Sequence, residues 1–377
     1  MARDVDTRLA SLNKRRRGTD RISDVSTESA IEAISKSLVQ ESYASRAPTQ
    51  KNTKYALGAM QAVDSDYTRI SLEEANRVGS QLKAALDKQG ISPEFRLQGS
   101  VPCDIHIRGV SDVDLLVLDG RFVRYDPQGS TARNPGYSPV SFDSLEALKE
   151  LRSESEKILR NSYPAAKIDA SGRKAIKISG GSLRRPVDVV PSNWYDTADY
   201  QRTSDEVDRG VEILDKKIPA RIFNMPFRHI DRINSHDKIS AGGLKKSIRL
   251  CKNLKADANA EGGKIELSSF DIASALWHAN LPALSMGVVY ELAILAEATR
   301  FMDFLARNRN EAVALRVPDG SRAVFDTEAK LEALLQLSLE LDDLSVKVAR
   351  ERANLPDPYP LDAIQAGEVL KKSYIPG

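Results

Sequence analysis

Three aspartates set inside apolar runs constrain this chain more than any other feature. Residues 95–118 read FRLQGSVPCDIHIRGVSDVDLLVL, and residues 185–191 read RPVDVVP. Asp112 and Asp114 open one apolar run, and Asp188 lies in the middle of another. Side chains at i and i+2 of a strand leave the same face. Asp112 and Asp114 therefore reach one region of space, while Val113, Leu115 and Val117 share the opposite face and can pack on a core. A carboxylate inside a strand such as VDVV is costly to bury unless it is paired or binds a metal. If the two strands are neighbours, the three acids form one anionic cluster.

Such a cluster needs a cation. Oxygen-only donors favour a hard ion, Mg2+ or Mn2+, over zinc. Two ions about 3.5–4 Å apart clamp the attacking and leaving oxygens of a phosphoryl displacement. Gly99-Ser100 ends the preceding strand, and eleven residues separate it from the DxD. Glycine allows close backbone approach, and oriented N–H groups with a hydroxyl make an anion nest for a triphosphate. A DxD alone is common on solvated strand ends, a Gly-Ser pair is usually only a turn, and a lone strand aspartate can be structural. Their joint order points to metal-dependent nucleotidyl transfer.

The arrangement resembles the nucleotidyltransferase superfamily typified by DNA polymerase β. Within it, the chain is most similar to the bacterial cGAS/DncV-like nucleotidyltransferases, the CD-NTases. Gln98 before Gly99-Ser100, Gly172-Arg173 before the Asp188 strand, GLKKSIRLCKNLK at 243–255 and LSSFDIASALW at 267–277 carry the narrower resemblance. It spans roughly residues 70–310. It implies an α+β fold, with a polymerase β-like sheet lobe packed against an α-helical lobe and the active site in the cleft between them. It implies nucleotide binding by Gln98, Gly99, Ser100, Lys252, Ser269 and Phe270, with Lys246 and Lys255 as alternatives to Lys252. Catalysis and metal ligation fall to Asp112, Asp114 and Asp188. ATP or GTP would be substrates, a cyclic di- or trinucleotide the product, and a product-activated effector in anti-phage signalling the partner. Where many family members carry an aromatic or small residue and then a threonine after Gly-Ser, this chain has Val101-Pro102-Cys103-Asp104.

Composition narrows the alternatives. The 377 residues suffice for two lobes, and the formal net charge of only +2 gives no polyanion-binding signature. A stable nucleic-acid partner is not required, although an RNA or protein acceptor, or an inactive nucleotide sensor, remains an alternative function. Two cysteines fit a reducing cytoplasm, no apolar run approaches the ~20 residues of a membrane span, and no secretory signal opens the chain.

Along the chain, residues 1–22, with the run Lys14-Arg15-Arg16-Arg17, read as a flexible basic arm. Residues 23–202 read as the catalytic lobe with N-terminal spine helices, and 203–377 as the helical lobe with a C-terminal tail. Ile31, Ile34 and Leu38 lie at helical spacing. Ser71, with Glu74 three residues on, predicts a capped helix that runs to about Gln89 and stops at Gly90. Strands are expected at about 95–98, 112–118, 121–125, 175–178 and 187–190, a loop at 126–141, and helices throughout from about 203. Residues 244–252 put Leu244, Ile248 and Cys251 on an apolar stripe opposite basic side chains. The four histidines, none at zinc-ligand spacing with a cysteine, read as structural. The C-terminal glycine after a polar stretch suggests a handle for a conjugating or regulatory partner, against the simpler expectation that the tail packs on the helical lobe.

Overall fold

Period-two apolar patterning builds the sheet, and 3.6-residue patterning builds what covers it. The computed structural model describes residues 4–18, 41–108, 112–134 and 136–376. Its strands are β1 (Glu94–Gln98), β2 (Val113–Tyr125), β3 (Lys167–Asp169), β4 (Ile176–Ser179), β5 (Val187–Asp196), β6 (Gly210–Asp215) and β7 (Ala220–Asn224). The main helices are α1 (Val5–Arg17), α2 (Lys51–Met60), α3 (Ser65–Asp87), α4 (Ser144–Ser162), α5 (Gly243–Ala260), α6 (Ser269–Leu276), α7 (Ala293–Arg307) and α8 (Glu328–Ala353). One sheet has the order β1-β2-β5-β4-β3, with β6 on β5 and β7 on β6. Strands β2 and β5 run parallel, and the connection between them includes α4, as a parallel pair requires.

The two sheet faces differ. Val113, Leu115 and Val117 join Val187 and Val189 in a core under α3 and α4, with Leu82, Leu148 and Leu151. The opposite face begins with Asp114 and Asp188 and continues into a smaller core of Leu116, Leu118, Val190 and Trp194. A third core belongs to the helical lobe, where Leu250, Leu295, Met302 and Leu341 meet. Leu12 of α1 and Tyr55 and Leu57 of α2 lie in that helical core, not in the sheet.

Several expectations are corrected. Residues 5–17 are not a solvated arm but a helix capped by Asp4, whose carboxylate accepts from the Asp6 and Thr7 amides. Three of its arginines are pinned by acids distant in sequence. Arg8 pairs with Glu261 at 2.6 Å and Glu340 at 2.8 Å, Arg15 with Asp257 at 2.6 Å, and Arg16 with Glu41 at 2.6 Å. No local pattern reveals such partners. The Ile31, Ile34 and Leu38 stripe lies outside the described residues. Helix α3 starts earlier than Ser71, because Asp64 caps it by accepting from the Asp66 and Tyr67 amides. Ser71 instead bonds the Tyr67 carbonyl at 2.9 Å inside the helix, and buried Glu74 receives Arg184. The strands expected at 112–118 and 121–125 are one strand with a register shift between Leu118 and Val123. Residues 210–224 are a hairpin, not helix: Val211 and Ile213 alternate inward onto Trp194, a period-two signal only a few residues long. The expected loop at 126–141 holds a short helix, Ser130–Arg133.

Candidate active site

Strand register assembles the site. Gln98 of β1 lies opposite Asp114 of β2, Asp114 opposite Asp188 of β5, and Asp188 opposite Lys177 of β4. Residues directly opposite one another share a face. One row therefore crosses four strands as Gln98, Asp114, Asp188 and Lys177, with Asp112 two residues before Asp114. The face is the one opposite the α3–α4 core.

The chain turns sharply after Gln98. Gly99 has φ +79, and a Cβ at this position would collide with the Asp114 carboxylate. Both the left-handed backbone and the close approach demand glycine. The following loop closes on itself: the Asp104 amide donates to the Val101 carbonyl at 2.9 Å and the Ile105 amide to the Ser100 carbonyl at 3.1 Å. Cys103 and Ile105 then enter the helical-lobe core. The unusual Val101-Pro102-Cys103-Asp104 segment is thus an anchored turn that straddles two cores: Val101 packs in the α3–α4 core of the sheet and Cys103 in the core of the helical lobe.

Lys252 serves that turn. Its side chain is buried, and Nζ donates to the Ile105 carbonyl at 2.6 Å, while Arg249 donates to the Asp104 carbonyl at 2.6 Å. Burial pulls the Lys252 ammonium down to about 7, and Asp114 lies within its electrostatic reach. Of the alternatives, Lys246 pairs with Glu291 at 2.6 Å and Lys255 donates to the Leu267 carbonyl. Ser269 begins α6, which Ser268 caps through a reciprocal bond with Asp271. The Phe270 ring packs against His229 at 4.4 Å and under Arg322 at 5.3 Å. The contacts of Ser268 and Phe270 stay within the helical lobe. Gln98, Gly99, Asp114 and Asp188 form the sheet cluster, with Asp112 beside it.

The acids suffer from crowding. Burial first, then Asp188 and Asp112, push the Asp114 carboxyl up to about 7. Burial and Asp112 push Asp188 up to about 6, against the pull of Lys177. Among the described residues no group of three or more His, Cys, Asp or Glu side chains already converges as a chelate; Asp112 turns its carboxylate to the Lys177 ammonium. The donor set still fits a hard divalent cation: only oxygen is offered, and Asp114 and Asp188 are in register.

Two groups of functional interest carry weaker signals. Lys177 was legible in part, since Ile176 and Ile178 point into the core and alternation sends Lys177 to the acidic face. Tyr67 was not. Its ring lies between Arg108 at 4.7 Å and Arg185 at 4.4 Å, the arginines four and three residues before Asp112 and Asp188. The histidines are structural: His106 stacks on Tyr67, buried and pulled down to about 4, and His236 stacks on Trp277 at 4.4 Å.

No family profile matches the chain. The cyclic dinucleotide synthase CdnE of Yersinia aleksiciae is 40% identical over an alignment of 380 residues, covering 98% of either chain. A c-di-GMP synthase of Capnocytophaga granulosa is 34% identical over 310 residues, 75% of this chain and 84% of its own. The solved structure of the STING-associated CdnE c-di-GMP synthase from Capnocytophaga granulosa matches with a TM-score of 0.71 at 27% identity, over 93% of this chain and 100% of that one. A corresponding synthase from Flavobacteriaceae sp. matches the fold with a TM-score of 0.70, over 91% of this chain and 98% of that one. From end-to-end similarity and a shared fold, the chain belongs to the bacterial CD-NTase family of the DNA polymerase β-like superfamily and is a nucleotidyltransferase.

Proposed function

We propose that this enzyme joins two nucleoside triphosphates of the ATP or GTP type into a cyclic dinucleotide, with release of pyrophosphate. The carrying observation is the in-register Asp114–Asp188 pair on the face beside Gly99. Relatives named cyclic dinucleotide and c-di-GMP synthases support this product class, with a trinucleotide as the less supported variant and GTP as a favoured substrate.

Asp112, Asp114 and Asp188 would hold two Mg2+ or Mn2+ ions, which when bound neutralise the triphosphate and polarise the reacting oxygens. The residues themselves supply positioning. The Gly99-Ser100 turn offers N–H groups and a hydroxyl to phosphate oxygens. Lys252 holds that turn from beneath, and Ser269 and Phe270 contribute to the nucleotide from the helical lobe. Asp188 accepts the proton of the attacking ribose hydroxyl. The new P–O bond forms at the α-phosphorus as the bond to pyrophosphate breaks. Repetition on the linear intermediate closes the ring. The setting would be the bacterial cytoplasm, with the product activating a separate anti-phage effector.

Incubation with four NTPs and Mg2+ or Mn2+, followed by mass spectrometry of phosphatase-resistant products, tests the proposal. A cyclic dinucleotide is expected from the wild type, and pyrophosphate release should fall by at least ~10³-fold in the Asp112→Ala/Asp114→Ala double variant. Products only when RNA or protein is added would shift the acceptor; none under any condition would leave a nucleotide sensor.

A further inference from the structure

We propose that Lys177 is a tethered counter-ion that competes with the divalent cation for Asp112. The inference rests on the metal-site assignment made above and goes beyond it. Lys177 stands on β4 directly opposite Asp188, yet its ammonium pairs with Asp112. The side chain therefore reaches along the acidic row, and its positive charge lies against Asp112 and within electrostatic reach of Asp188. Lys177 is mentioned by no sequence motif of the site, but its strand register admits no other face, because Ile176 and Ile178 are both fully buried in the α3–α4 core.

The chemistry suits a temporary occupant. An ammonium is a compact single charge on a flexible stem, and the Lys177 side chain is 41% exposed whereas that of Asp112 is 12% exposed. Lysine can therefore leave toward solvent at small cost, while Asp112 stays. One ammonium offsets one carboxylate of three, so the ion-free site is held together without being neutralised. Lys177 eases the charge on Asp188 without cancelling it, and the site keeps a net negative charge that draws a divalent cation in. Entry of that cation must break the Lys177–Asp112 pair. The lysine thereby sets the ion concentration at which the site loads.

Mn2+ titration of the full-length, nucleotide-free protein, followed by electron paramagnetic resonance of free Mn2+ and by calorimetry, tests the idea. Lys177→Met keeps the stem and removes the charge, and is expected to bind Mn2+ about fivefold tighter, the factor that matches a partly exposed ion pair of ~1 kcal/mol. Lys177→Arg should stay close to wild type. In an Asp112→Asn background, Lys177→Met should bring no further gain, since the competed-for carboxylate is absent. Lys177→Gln serves as a second neutral variant should Lys177→Met fold poorly. Unchanged or weaker Mn2+ binding in both neutral variants overturns the proposal. Failure of the underlying metal-site assignment has a different signature: Asp112→Asn, Asp114→Asn and Asp188→Asn would all then bind Mn2+ like the wild type.

Discussion

Asp114 lies where its ionised form is unwelcome. Its folded-state carboxyl titrates near about 7, raised by burial and by its two acidic neighbours from an ordinary 3.8. Between these two values the folded protein binds a proton that the unfolded chain has already released. Stability of the ion-free protein therefore falls as pH rises through that window and stays low above it. Asp114→Asn remains neutral throughout. In chelator at pH 8 it is expected to be more stable than wild type by about 1–2 kcal/mol, a figure reduced from the full shift because the site is partly solvated. The gain should vanish toward pH 4, and urea unfolding at the two pH values checks both halves. Equal stability at pH 8 would show that the crowding is relieved by another route. At this scale the sequence was highly legible. Strand period two alone places Asp112 with Asp114 and aims both away from the core. What it withholds is the register between strands distant in sequence, which decides that Lys177 faces Asp188 and that Gly99 meets the Asp114 carboxylate.

Helix α3 contacts residues shortly before two of the aspartates without adding a carboxylate to their row. Tyr67, near its start, takes Arg108 and Arg185 against its ring, and these arginines precede Asp112 and Asp188 by four and three residues in the sequence. One aromatic ring thus contacts an arginine shortly before each of two carboxylates, and a positioning role for it is testable. Tyr67→Leu is expected to lower kcat by about tenfold, as loss of two cation–π contacts worth roughly 0.5–1 kcal/mol each allows. KM for the nucleotide should move little, and Mn2+ affinity should fall. Tyr67→Phe retains the ring and should restore all three; a parallel loss in Tyr67→Phe would refute the positioning role. Nothing in the local sequence marks Tyr67, because its partners are fixed only once β5 lies beside β2. The β6–β7 hairpin was hidden for another reason. Its inward residues, Val211 and Ile213, occupy a stretch too short for alternation to stand out from the helical segments that follow. Helices α5, α7 and α8 are long, and their apolar periodicity located them well.

At the scale of the molecule, charge does structural work far from the cleft. Asp257 is buried, accepts both Arg15 nitrogens at 2.6 and 2.8 Å, and receives the Tyr55 hydroxyl at 2.6 Å. It joins α1 and α2 to α5, which carries Lys252. Removing one partner of a buried pair leaves the other charge stranded, so Asp257→Ala is expected to cost about 3–5 kcal/mol by urea unfolding. Replacing Arg15 and Asp257 together by methionine and leucine should recover much of that loss. A cost below ~1 kcal/mol for the single variant would mean that α1 contributes little to the fold. The C-terminal tail is likewise tied down: Arg46 donates to the Pro376 carbonyl at 2.9 Å, Arg352 to the Tyr374 carbonyl at 3.0 Å, and Ile375 is buried. A conjugating partner would first have to lift it.

The loop after Ser100 has divided loyalties. Its ends are covalently part of the sheet lobe, its Cys103 and Ile105 side chains are part of the helical lobe's core, and Lys252 and Arg249 hold its carbonyls. It cannot follow both lobes if they separate. Any widening of the gap between them must either drag the Gly99-Ser100 turn off the carboxylate row or strip Cys103 and Ile105 from their packing. The position of this turn over the carboxylates and the distance between the lobes are therefore one mechanical variable.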